Sequence, residues 1–139
     1  MHLLDADTLT HLYHGHVKAS ERLRQCDDPD IGVTIFTKAE ILRARYEALL
    51  KAADGEQIMR AQDLLHRTED LLASLVVVLF AEVAAHELDR LQRQRALKKI
   101  GHVDLLVAII ALANRATLVT RNLRHFERIS NLSLDNWVD

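Results

Sequence analysis

The chain has 139 residues, 49% of them hydrophobic, which is enough for one ordinary core and short for two; a single domain over 1–139 is expected. A formal charge of -2 excludes nucleic-acid binding by net basicity, so any such contact must come from a local patch. One cysteine, Cys26, excludes an internal disulfide and a cysteine-cluster metal site. With no leader-like segment and no apolar stretch of about 18 to 20 residues, a soluble, unprocessed cytoplasmic protein is expected.

Met1 to Leu4 is an apolar run too short for a helix, and it breaks into Asp5-Ala6-Asp7 before Thr8, a residue able to cap a helix. It reads as a strand that delivers acids. Thr8 to His14 carries Leu9, Leu12 and Tyr13 at helical spacing and stops at Gly15, and Val17 to Cys26 reads as a second short helix. Asp27-Asp28-Pro29-Asp30 is a turn. Gly32 to Phe36 gives a second strand, after which Thr37-Lys38-Ala39-Glu40 opens a helix by the Ser/Thr-x-x-Glu capping pattern and runs to Asp54-Gly55. Glu56 to Leu72 is amphipathic. Leu75 to Phe80 is continuous and β-branched, as in a strand buried on both faces of a parallel sheet. Ala81 to Lys99 is predicted helical, ending in Arg90, Arg93, Arg95, Lys98 and Lys99. After Gly101, the apolar stretch Val103 to Arg115 predicts a buried helix that carries Asp104. Thr117 to Thr120 is a strand, Arg121 to Arg128 a loop with a helical turn, and Leu132-Ser133-Leu134 a candidate edge strand. Strands alternating with helices throughout predict an α/β domain with a mostly parallel sheet of four or five strands.

Asp5 after the first strand, Glu40 just after the second, Asp104 at the start of the buried helix and Asn122 just after the fourth strand share one placement. In a parallel sheet such places converge on the carboxyl edge, where α/β proteins bind ligands. Two carboxylates about 4 Å apart repel by roughly 4 kcal/mol at an effective dielectric near 20, so three in one cleft require a cation or raised pKa values. Oxygen donors without cysteine suggest Mg²⁺ or Mn²⁺, which can position and activate water for attack on a phosphate. Each acid also has a structural explanation: a capping box for Glu40, an N-cap for Asp7, the helix dipole for Asp104 and a strand-exit turn for Asp5. His11, His14 and His16 lack metal-site spacing, and His86-Glu87 lacks the second histidine of a zinc protease.

Leu3-Leu4-Asp5-Ala6-Asp7, Thr37-Lys38-Ala39-Glu40, Ile100-Gly101-His102-Val103-Asp104-Leu105-Leu106-Val107-Ala108 and Leu118-Val119-Thr120-Arg121-Asn122, with Phe126 and Trp137, follow in order along the chain. Together they resemble a PIN-domain ribonuclease of the VapC toxin type. That resemblance implies a three-layer α/β/α domain, a Mg²⁺- or Mn²⁺-dependent endoribonuclease acting on RNA, a homodimer and a cognate antitoxin. By position, Asp5, Glu40 and Asp104 would be the acidic metal-binding trio. Asn122 stands where many members have aspartate, and Asp7 where the family often has asparagine. Thr120 and Asp7 would support the cluster, while Arg43 and Arg121 are candidates for RNA phosphates.

Two other readings remain at this point. Asp5-Ala6-Asp7-Thr8 also resembles the first motif of haloacid-dehalogenase-type phosphatases, with Asp5 as a phosphorylated nucleophile. Against it, the third strand exits into Leu79-Phe80-Ala81 with no acid, and the chain is short for that fold. A catalytically dead PIN-like module that binds RNA or protein is kept open by Asn122.

Overall fold

In the computed structural model, which describes residues 1–94 and 97–139, five strands form one sheet: β1 (His2–Leu4), β2 (Ile31–Thr34), β3 (Val76–Val78), β4 (Thr117–Val119) and β5 (Ser133–Asp135). The strand order is β3-β2-β1-β4-β5, and every neighbouring pair is parallel. Between them run α1 (Ala6–Tyr13), α2 (Val17–Gln25), α3 (Ile35–Lys51), α4 (Gly55–Ala73), α5 (Glu82–Leu91), α6 (His102–Ala113) and α7 (Leu123–Phe126). The α/β architecture with a parallel sheet is therefore as the sequence predicts, and the fifth strand is present.

The period of two along each strand divides the apolar side chains between two cores. Leu3 and Leu118 join Ile109, Ile110, Leu91 and Phe126 on one side. Leu4, Val33 and Val119 join Leu9, Ala19, Ile41 and Leu72 on the other. Helices thus cover both faces, giving three layers. β1 is central and its neighbours lead away in opposite chain directions, so the carboxyl ends of β1 and β4 flank the topological switch point where open α/β sheets form a crevice. Among the described residues, no helix is long and apolar enough to cross a membrane.

Three elements differ from expectation, each for a local reason. β3 is an edge strand, paired with β2 alone, and Val76 is exposed; β-branched composition does not distinguish a central strand from an edge that is covered only in part. α5 stops at Leu91, so Arg93, Lys98 and Lys99 lie beyond it, while Arg95 falls outside the described residues. α3 begins at Ile35 rather than Thr37, because Thr34 Oγ1 accepts the Thr37 N–H at 3.1 Å and acts as the N-cap. Glu40 is then in the second turn, and the capping-box role is removed.

Candidate functional site

Asp5 is held twice at the end of β1. Its backbone N–H donates to the Val119 carbonyl at 3.1 Å, which continues the β1–β4 pairing by one residue. Its Oδ1 accepts the Thr8 N–H at 2.8 Å, so Asp5, not Asp7, is the N-cap of α1, an interaction worth about 1 kcal/mol. Buried Thr8 adds its own Oγ1–H bond to the same Val119 carbonyl at 3.3 Å. The structural role thus sits on the same carboxylate that the sequence marks for chemistry.

Glu40 lies in the second turn of α3 and Asp104 in the first turn of α6, two helices packed against each other. The Glu40 carboxyl is pushed above the ordinary range, first by desolvation on its protein side and then by the negative charges of Asp104 and Asp5. The three acids that the sequence singles out are therefore electrostatic neighbours, contributed by β1, α3 and α6. Among the described residues, no group of three His, Cys, Asp or Glu side chains already stands at metal-ligand separation, so the acids form an open set rather than a closed cage.

The remaining predicted residues divide. Thr120 is fully buried; its N–H donates to the Asp135 carbonyl at 2.8 Å and its Oγ1 accepts the Asn122 N–H at 3.1 Å. It builds the loop that leaves β4. Asn122 is the N-cap residue of α7, yet its side chain makes no capping hydrogen bond, and its carbonyl accepts the Phe126 N–H. Asp7 is half exposed, 3.6 Å from His11 Nδ1 and 3.9 Å from Arg121 Nη1. Arg121 is gripped by Asp139 through Nε and Nη2, each at 3.2 Å, and Asp7 and Asp5 further favour its charge. Arg43 projects from α3 and pairs with Glu47 at 3.0 Å, with 81% of its side chain exposed. His16 caps α2 by accepting the Ala19 N–H, a structural task that accounts for one of the three clustered histidines.

One contact was not legible from the motifs. His125, in α7, places Nε2 3.1 Å from Asp104 Oδ2. The signal available in the sequence was its spacing: three residues after Asn122, it lies one helical turn beyond the fourth polar position.

No protein-family profile matches the chain. Ribonuclease VapC2 of Rickettsia felis is 58% identical over 38 residues, a stretch covering 27% of this chain and 28% of that protein. Ribonuclease VapC1 of Haemophilus influenzae is 28% identical over 140 aligned positions, 99% of this chain and 98% of that protein. The crystal structure of VapBC2 from Rickettsia felis bound to a promoter DNA fragment matches with a TM-score of 0.75 and 26% identity over 98% of both chains. The parallel sheet, the order of the acidic motifs along it and this end-to-end likeness agree, and the chain is similar over its whole length to the VapC-type PIN-domain proteins.

Proposed function

We propose that this chain is a metal-dependent ribonuclease that cuts RNA phosphodiester bonds, and that it is the toxin of a toxin–antitoxin pair acting in the cytoplasm. Residues 1–139 then form one nuclease domain. The observation that carries this reading is the gathering of Asp5, Glu40 and Asp104 from three elements at the switch-point crevice, with the first and last both disfavouring charge on Glu40. The VapC relatives are named as ribonucleases, which points the same way.

The donor set fits a hard divalent cation, Mg²⁺ or Mn²⁺: it offers carboxylate oxygens, it lacks thiolate, and the mutual repulsion of the acids is relieved by positive charge. Asp5, Glu40 and Asp104 would hold the ion, which when bound would supply a Lewis acid that lowers the pKa of water and offsets charge on the phosphate. The chain's own residues act around that centre. Glu40 orients the attacking water by accepting a hydrogen bond from it. Arg121 contacts an RNA phosphate beside Asp7, and the uncommitted Asn122 amide donates to a phosphate oxygen. Arg43, exposed on α3, adds a further phosphate contact outside the crevice.

A protein partner has a seat as well. An apolar cleft of about 460 Å³ opens between α1, α2 and α4, lined by Leu9, Leu12, Tyr13, Leu23 and Leu71 with Arg24 and Arg67. An amphipathic antitoxin helix with acidic flanks fits that chemistry, and the similar Rickettsia structure is a VapBC assembly. Leu79 after β3 and Val83 and Val103 in the first turns of α5 and α6 are exposed apolar residues, which supports a homodimer through that end of the molecule.

The phosphatase alternative loses ground, because Asp5 Oδ1 is occupied as a helix cap and the exit of β3 carries Leu79 and Phe80 instead of an acid. Incubating the purified chain with labelled RNA and Mg²⁺ tests the reading. Cleavage that is lost with EDTA and in Asp104→Asn is the expected result; intact RNA alongside hydrolysis of small phosphomonoesters would overturn it.

A further inference from the structure

We infer that His125 is a positioning residue for Asp104: its imidazole fixes one carboxylate oxygen so that the other is presented to a divalent cation. The inference rests on the metal-centre reading above and adds a component that none of the acidic motifs contains.

The contact joins two elements that are distant in sequence and independently anchored. Asp104 lies in the first turn of α6, whose following residues Leu106 to Ala111 are buried, so its Cα cannot drift. Its carboxylate is half exposed, and among the described residues its one side-chain partner is His125. His125 in turn is held by its neighbours. Phe126 is buried and meets the imidazole edge-on, with ring centroids 5.1 Å apart, and Ile129 is buried one turn later. Upstream, Thr120 ties the loop to β5 through Asp135 and to Asn122 through its hydroxyl. A line of hydrogen bonds and packed side chains thus runs from the sheet to the imidazole, which is 22% exposed.

The chemistry of the pair follows from what each group can do. An ionised carboxylate only accepts, so Nε2 carries the proton and donates to Oδ2. That bond removes the rotational freedom an aspartate would otherwise lose on ligand binding and leaves Oδ1 available. Hydrogen-bonded partners of metal ligands commonly account for a 10- to 100-fold change in metal affinity, and the same range is expected here. The unusual feature is that the partner stands in the helix following Asn122, so the fourth strand exit acts through Asp104 rather than by adding a fourth carboxylate.

The test titrates Mn²⁺ into the full-length protein, following free Mn²⁺ by electron paramagnetic resonance, for the parent, His125→Ala, His125→Gln and Asp104→Asn, with RNA cleavage measured across the same Mn²⁺ range. The expected result is a 10- to 100-fold weaker Mn²⁺ dissociation constant in His125→Ala. The Mn²⁺ needed for half-maximal cleavage shifts equally, most of kcat returns at saturating Mn²⁺, and His125→Gln, which keeps an N–H donor, recovers most of the affinity. Parent-like Mn²⁺ affinity in His125→Ala, with binding abolished in Asp104→Asn, would overturn the positioning role alone. A parent that binds no Mn²⁺ would overturn the metal centre and this inference together. Equal loss of affinity and of thermal stability in the alanine and glutamine variants would assign the effect to folding and would also overturn it.

Discussion

Asp5 carries a helix cap and a proposed metal-binding charge on one side chain, and two substitutions separate them. Asp5→Asn keeps an oxygen able to accept the Thr8 N–H at the observed 2.8 Å, and asparagine caps helices about as well as aspartate. What it loses in helix-dipole attraction, about 0.3 to 1 kcal/mol, is offset by relief of repulsion with Glu40. Asp5→Ala removes the cap and the charge together. An unfolding entropy of about 2.1 cal/mol/K per residue makes 1 kcal/mol worth about 3 °C in a chain of this size. The alanine variant should therefore melt about 3 °C lower, from a cap loss of about 1 kcal/mol, while the asparagine variant melts with the parent. Both should lose Mg²⁺-dependent RNA cleavage by more than the roughly 10- to 100-fold expected for an outer partner of a metal ligand. Calorimetry and a labelled-RNA assay on the same preparations give the two readouts. Cleavage retained in Asp5→Asn would refute the role of the charge, and equal melting of the alanine and asparagine variants would refute the cap.

Other consequences can be checked separately. A Cβ on Gly32 would stand 2.3 Å from the Val76 carbonyl oxygen, a backbone atom of the paired strand, so Gly32→Ala should cost about 1 to 3 kcal/mol, whereas Gly55→Ala, which meets nothing within 4 Å, should not lower the melting temperature. Asp28 is held well below the usual carboxylate range, first by the terminal amine and then by the Asp30 N–H and His2. A depressed folded-state value gives stability that is complete above the unfolded value near 4, begins to decline below it and is lost only as the pH falls through the lower folded value. Asp28→Asn should accordingly lower the urea midpoint at pH 7, with a smaller difference from the parent at pH 3. If Leu79 and Val83 lie in a dimer interface, Val83→Asp should halve the mass measured by light scattering on a size-exclusion column; a parent already monomeric at high concentration would exclude that interface.

The sheet was legible because it follows from short-range pattern, apolar runs of strand length; Asp5 stood out as the acid that ends the first of them, and Asp104 as a charge on an otherwise apolar helix. The helix starts were less so. Thr34 and Thr37 are both competent caps one turn apart, and the choice depends on where β2 stops pairing with β3, which Gly32 and the Val76 register decide. For Asp5 and Asp7 the competition was similar, and the extra backbone bond to Val119 settles it for Asp5. The exposure of β3 followed from strand order, which apolar composition does not encode. His125 stayed hidden because a single histidine beside a phenylalanine has no periodic partner; its meaning comes from Asp104, which the fold brings to it across the sheet edge.

The position of β1 has a bearing on how the molecule comes into being. Leu3 pairs with Gly32 on one side but with Leu118 on the other, so the central strand is the first to be synthesised and waits for a partner from the last quarter of the chain. Closing so long a loop is entropically costly and slow, and pairing of distant strands cannot begin before both exist. An unfinished polypeptide on the ribosome thus holds Asp5 without the β4 carbonyl that fixes it and without Asn122 and the α7 helix that carries His125. The order of the strands delays assembly of these residues until β4 and the segment after it have been translated.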